Sequence, residues 1–112
     1  MAIARPLQIE TRIEDDCAML TLAGELDIAT VPRLQEAAQA ALATHPVRLV
    51  IDLRPLGFLD SSGLREMLML ADRAGEEGWE LMLVRPVEQV LAIFQVTRAE
   101  EVLPFVDEPP AK

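Results

Sequence analysis

Leu7, Ile9, Thr11 and Ile13 alternate with Gln8, Glu10 and Arg12 along the first stretch of the chain. A period of two predicts a half-buried strand. Glu14-Asp15-Asp16 is a short acidic turn, and Ala18 to Ala23 is again strand-like, so the two segments predict a hairpin. Gly24-Glu25-Leu26-Asp27 breaks the pattern. The period then changes. Thr30 can cap a helix that opens at Val31-Pro32, since proline suits a first turn whose amides lack partners. Leu34, Ala37, Ala38, Ala41 and Leu42 recur at helical spacing until His45-Pro46 stops them.

Val47 to Leu53 is almost continuously apolar, the mark of a central strand covered on both faces. Arg54-Pro55-Leu56-Gly57 reads as a loop leading into Asp60-Ser61-Ser62-Gly63. A second helix is expected from Ser62 to Gly75, with Leu64, Met67, Leu68, Ala71 and Ala74 inward and Glu76-Glu77-Gly78 ending it. Trp79 to Val84 is a strand. Pro86 opens a third helix with Val87, Val90, Leu91 and Phe94 on one face. Glu101 to Asp107 is a last strand that Pro104 restricts to a sheet edge. The order β-β-α-β-α-β-α-β predicts one α/β domain with a mixed sheet across residues 1–112. Its core lies at about 7–107, and residues 108–112 form a frayed tail.

The candidate chemistry sits where the apolar run Phe58-Leu59 gives way to the second helix. An acid, two hydroxyls and a glycine at a helix start serve as a cap. They also hold a serine beside the positive end of the helix dipole, where a phosphate is stabilised. Two adjacent hydroxyls exceed what a cap needs. On helical geometry Arg65, Glu66, Met69, Asp72 and Arg73 share the outward face, which sets an apolar Met69 among charges and suits a protein contact.

Other chemistries find no support. His45 is the single histidine and lies in a loop expected at the opposite rim, and Lys112 is the single lysine, so Ser61 and Ser62 have no base for nucleophilic catalysis. No G-x-G-x-x-G or G-K-[ST] phosphate loop occurs. Asp27, Asp52 and Asp60 do not form a metal cluster by spacing. Cys17 stands alone in a strand and reads as a small buried hydrophobe.

Among 112 residues, 51% are hydrophobic, which supplies a core, but only 4% are aromatic. A net charge of −9 disfavours nucleic acid and anionic membranes and favours a partner with a basic surface. Met1 to Pro6 lacks the apolar stretch of a signal peptide, and no run approaches the ~20 residues of a membrane span. Direct membrane insertion is therefore not expected, and a cytoplasmic location is.

Gly24-Glu25-Leu26-Asp27, Leu49-Val50-Ile51-Asp52-Leu53 and Phe58-Leu59-Asp60-Ser61-Ser62-Gly63-Leu64, in this order, resemble the STAS domain. That family is shared by bacterial anti-sigma factor antagonists and sulfate transporters, and the likeness runs from about Leu7 to Val106. The single-domain antagonists are the nearest in kind. The resemblance implies phosphorylation of Ser61 by an anti-sigma factor that is itself a kinase. Unphosphorylated antagonist holds the anti-sigma factor and frees the sigma factor; phosphorylation breaks the complex and a phosphatase restores it. Asp27 matches an acid near the serine, and Asp60 matches the acid of the turn, which Ser62 and Gly63 complete. Arg65, Glu66 and Met69 are then candidate partner contacts. The chain would be a kinase substrate without catalytic residues, cofactor or metal of its own. One departure is a C-terminal helix, usual in these antagonists, that is short or absent here; the third helix or a homodimer is expected to cover the surface it leaves. A scaffold role, as accessory subunit of a lipid transporter or part of a stress-sensing assembly, is the alternative.

Overall fold

The alternating segment becomes β1 (Gln8–Glu14), and a two-residue turn at Asp15-Asp16 returns it as β2 (Cys17–Leu26) in antiparallel register. The computed structural model describes residues 5–110. The readings of the extreme N-terminus and of Ala111-Lys112 fall outside them. After the hairpin come α1 (Val31–Leu42), β3 (Arg48–Asp52), β4 (Leu56–Leu59), α2 (Ser61–Glu77), β5 (Glu80–Val84), α3 (Glu88–Val96), a 3-10 turn at Ala99–Glu101 and β6 (Phe105–Val106).

The sheet runs β1-β2-β3-β5-β6, with β1 antiparallel and the others parallel. This is the mixed α/β sheet that the alternation of elements predicts. Alternate residues of three strands (Ala18, Leu20 and Leu22; Leu49 and Ile51; Leu81 and Leu83) are buried in one core with Leu34, Ala38, Ala41 and Leu42 of α1. Leu64, Met67, Leu70 and Ala74 of α2 and Val90, Leu91 and Phe94 of α3 complete it. Among the described residues no helix is long and apolar enough to cross a membrane.

Three differences from the sequence reading have physical causes. Leu56 and Gly57, read as the end of a loop, join the apolar Phe58-Leu59 in β4, which pairs in parallel with the second half of β2. Pairing with a distant strand makes it a strand; its own four residues, with Gly57 inside, carry no period. α2 runs two residues further than expected, because Gly78 takes the left-handed conformation (φ 84°) and its N–H closes the helix on Ala74 C=O at 2.8 Å. The tail is not frayed as far as Pro110. Pro109 and Pro110 are half-buried and border a groove of about 440 Å³ on the sheet face away from the helices, with Cys17, Met19 and Val50. Cys17 is accordingly half-buried at the start of β2. No helix follows β6 among the described residues.

β3 is buried along most of its length, as its apolar run predicts, and this includes Asp52 at 5% exposure. Burial alone would push the Asp52 carboxyl up. Hydrogen bonds from the Arg54 side chain and amide, with the guanidinium charge, overcome that and hold it below the usual aspartate value. A depressed folded-state pKa contributes stability above the unfolded value and loses it as pH falls through the folded one. Below about pH 4 the wild type should therefore lose stability more steeply than Asp52→Asn, as read by urea unfolding at stepped pH. Parallel pH profiles would contradict this.

Candidate functional site

β4 delivers the chain to the start of α2. The Asp60 backbone is extended (φ −102°, ψ −173°), and its N–H donates to Leu26 C=O of β2 at 3.2 Å. Its Oδ1 accepts from Ser62 N–H at 2.8 Å and Gly63 N–H at 3.2 Å, two of the amides that a helix start leaves unpaired. Its Oδ2 accepts from Ile28 N–H at 3.3 Å. One carboxylate thus ties α2 to the loop after β2.

The cap therefore belongs to Asp60, and Ser61, the first residue of α2, is exposed. Ser62 is half-buried. Gly63 is buried, and a Cβ there would lie 2.9 Å from Leu59 Cγ and 3.0 Å from Leu26 Cγ. Its missing side chain lets α2 sit directly on the β2–β4 pair and sets the height of Ser61 above the sheet rim.

Asp27 opens the neighbouring loop. Its Oδ1 accepts from Ala29 N–H at 2.9 Å and Thr30 N–H at 3.0 Å. Thr30, expected from the sequence to cap α1, makes no side-chain cap. Its hydroxyl is turned back into the loop, accepting from Asp27 N–H at 2.9 Å and donating to Glu25 C=O at 3.0 Å. A loop braced this way presents Ile28, which is 77% exposed.

On α2, Ser61, Arg65 and Met69 follow at intervals of four, so they form one exposed stripe. Glu66 does not join it, contrary to the outward face that the helical spacing predicted. It is only 7% exposed, and its Oε1 accepts from Gln35 Nε2 of α1 at 2.9 Å. The neighbouring helix buries a position that faces outward on α2 considered alone. Met69 is half-exposed and borders a groove of about 560 Å³ between α1 and α2.

Sequence reasoning passed over Ile28 at this rim and read Phe58 only as part of an apolar run. Ile28 is bonded through its N–H to Asp60, and Phe58, two residues before Asp60, is 48% exposed. The available signal was an apolar side chain between Asp27 and Ala29, in a loop that had no need of one. His45 is exposed just before β3, at the end of the sheet where β2 also starts. Asp27 and Asp60 follow the ends of β2 and β4, so His45 and Ser61 occupy opposite rims. Among the described residues no group of three or more His, Cys, Asp or Glu is arranged to hold a metal ion.

The parallel strands, the loop at Asp27 and the capped turn at Asp60 can be set beside known proteins. A family model described as "Mlab, STAS domain" matches residues 9–105. The chain belongs to the STAS domain family. This STAS domain is 37% identical over 59 residues to the anti-sigma-F factor antagonist RsfB of Mycobacterium tuberculosis, covering 53% of this chain and 48% of that protein. It thus spans about half the length of that curated relative. It is 24% identical over 97 residues to an anti-sigma-B factor antagonist of Staphylococcus aureus, covering 87% of this chain and 90% of the other. Among solved structures, an anti-sigma factor antagonist from Mycobacterium paratuberculosis aligns with a TM-score of 0.77 at 25% identity, covering 95% of this chain and 92% of that one. The antagonist SpoIIAA in its unphosphorylated form aligns with a TM-score of 0.74 at 21% identity over 92% and 88% of the two chains, a likeness of fold.

Proposed function

We propose that this STAS domain is an anti-sigma factor antagonist of the cytoplasm. Unphosphorylated, it binds an anti-sigma factor that is a serine kinase; phosphorylation at Ser61 releases it, and a phosphatase resets it. The observation that carries this reading is the division of roles at the start of α2. Asp60 caps the helix, so the exposed Ser61 hydroxyl is left without a capping duty. The similarity to proteins named as anti-sigma factor antagonists supports the same reading.

The switch follows from charge. A phosphoryl group adds roughly −1.5 to −2 charges at neutral pH. The α2 amides nearest to it already bind Asp60, and Asp27 opens the loop that Asp60 holds. A partner surface matched to a neutral hydroxyl would then meet a concentrated negative patch, and no refolding is required. This chain supplies no catalytic group; ATP and the phosphotransfer machinery belong to the kinase.

Ile28, Arg65 and Met69 surround Ser61 as the docking surface. Met69→Glu and Ile28→Glu should each weaken partner binding at least about tenfold while melting temperature moves by less than about 2 °C. Titration calorimetry beside thermal melts reads both, and unchanged affinity in both variants would place the interface elsewhere.

The direct test is co-purification with a kinase-type anti-sigma factor from the same cell. Binding without ATP, loss of binding with ATP, and retention by Ser61→Ala despite ATP is the expected set. The second reading is a constitutive scaffold or accessory subunit, which would use the same exposed rim without a switch. Binding indifferent to ATP would support that instead.

A further inference from the structure

Among the described residues β1 pairs with β2 alone, and its other edge is the longest strand edge left open. Long open edges invite pairing with another chain, and their side-chain pattern decides which chain fits. We propose that two copies of this protein join through β1, antiparallel about a two-fold axis at Thr11, extending one sheet through both.

The pattern of β1 is self-complementary in that register. With the axis at Thr11, the whole seven-residue strand is paired. Glu10 then stands opposite the second copy's Arg12, and by symmetry this occurs twice. Ile9 stands opposite the second copy's Ile13, also twice. Glu10 and Arg12 share the sheet face of Thr21 and Met19, while Ile9 and Ile13 share the face of Leu22 and Ala18. Charge therefore meets opposite charge on one face, and apolar meets apolar on the other.

Ile13 is 46% exposed and Ile9 is half-buried, so both have apolar surface for the pairing to cover. Arg12 has its side chain 60% exposed and lies 3.6 Å from Glu14, so its guanidinium can reach a second carboxylate. Neighbouring registers are penalised. An axis at Glu10 sets Glu10 against Glu10. An axis at Arg12 sets Arg12 against Arg12 and Glu10 against Glu14. An axis at either isoleucine engages only one end of the strand. The same charges that protect the edge from other chains thus select one arrangement of this chain with itself. The contact uses no residue of the Ser61 site, so it stands apart from the antagonist reading and leaves both Ser61 rims open.

Sedimentation equilibrium of the full chain, up to about 0.5 mM because the interface is small and polar, tests the pairing. A monomer–dimer equilibrium is expected for the wild type. Glu10→Arg alone and Arg12→Glu alone should each weaken self-association at least about tenfold, since each sets like charges opposite one another twice. An equimolar mixture of the two variants should recover the dimer, because each acid of one then faces an arginine of the other. A wild type that stays monomeric at the top concentration would overturn the proposal. So would single variants that associate like the wild type, or a mixture that fails to recover. Circular dichroism on each variant confirms the fold, which substitutions on an exposed edge should leave intact.

Discussion

Ser61→Asp is expected to bind the proposed anti-sigma factor kinase about a hundredfold more weakly than the wild type, a difference of ~3 kcal/mol, and to melt at the same temperature or slightly higher. Both halves of this expectation come from the same geometry. Ser61 is exposed and is the first residue of α2, where an acid is favoured by the helix dipole by about 0.3–1 kcal/mol. The folded chain therefore accepts the charge. The proposed partner, matched to a neutral hydroxyl beside Asp60, would not. Ser61→Ala is the matched control. The cap bonds go to Asp60, so removing the hydroxyl should change stability by less than about 0.5 kcal/mol and leave binding intact. Calorimetric titration and thermal unfolding of both variants give the two readings. An unchanged affinity for Ser61→Asp would sink the electrostatic account, and a marked loss of stability in Ser61→Ala would show that the hydroxyl is structural after all.

Gly24→Ala destabilises the fold by about 3 kcal/mol or more and lowers Tm by more than about 10 °C. Gly24 holds φ at +94°, a conformation that L side chains rarely adopt, and a Cβ there would lie 2.2 Å from the Pro6 carbonyl oxygen. That obstacle is backbone, so it cannot turn away as a flexible side chain would. The pairing of β2 with β4 also shifts register between Gly24 and Glu25. The glycine thus lets β2 leave β3 and pair with β4, the strand that leads into Asp60. Its replacement should harm stability and, through the Asp27 and Asp60 loops, binding as well. Urea unfolding reads the first effect, and a cost below about 1 kcal/mol would contradict the steric argument.

The parts of the fold carried by periodicity were legible in the sequence. The apolar run through Leu49, Val50 and Ile51 marked a strand buried on both faces, and Leu64, Met67 and Ala74 marked the inner side of α2. The parts created by a distant partner were not. β4 is a strand because β2 lies beside it. Glu66 is buried because Gln35 of α1 reaches over it. Ile28 belongs to the Ser61 rim because its N–H meets Asp60, 32 residues away in sequence. The turn itself was readable as cap or switch, and two hydroxyls beside one acid left the roles undivided. In the folded chain the cap belongs to Asp60, since its Oδ1 alone reaches both Ser62 and Gly63 amides. The tail was misread for a similar reason, because Pro109 and Pro110 find the back of the sheet only once it is assembled.

The central claim is that Ser61 is a phosphate acceptor rather than a structural residue. Intact-protein mass spectrometry with peptide mapping, on protein purified from its native cells across growth and stress conditions, tests it most directly. The account predicts a population heavier by one phosphate, mapped to Ser61 and absent in Ser61→Ala. A chain that stays unmodified under every condition, or a phosphate that maps elsewhere, would contradict it.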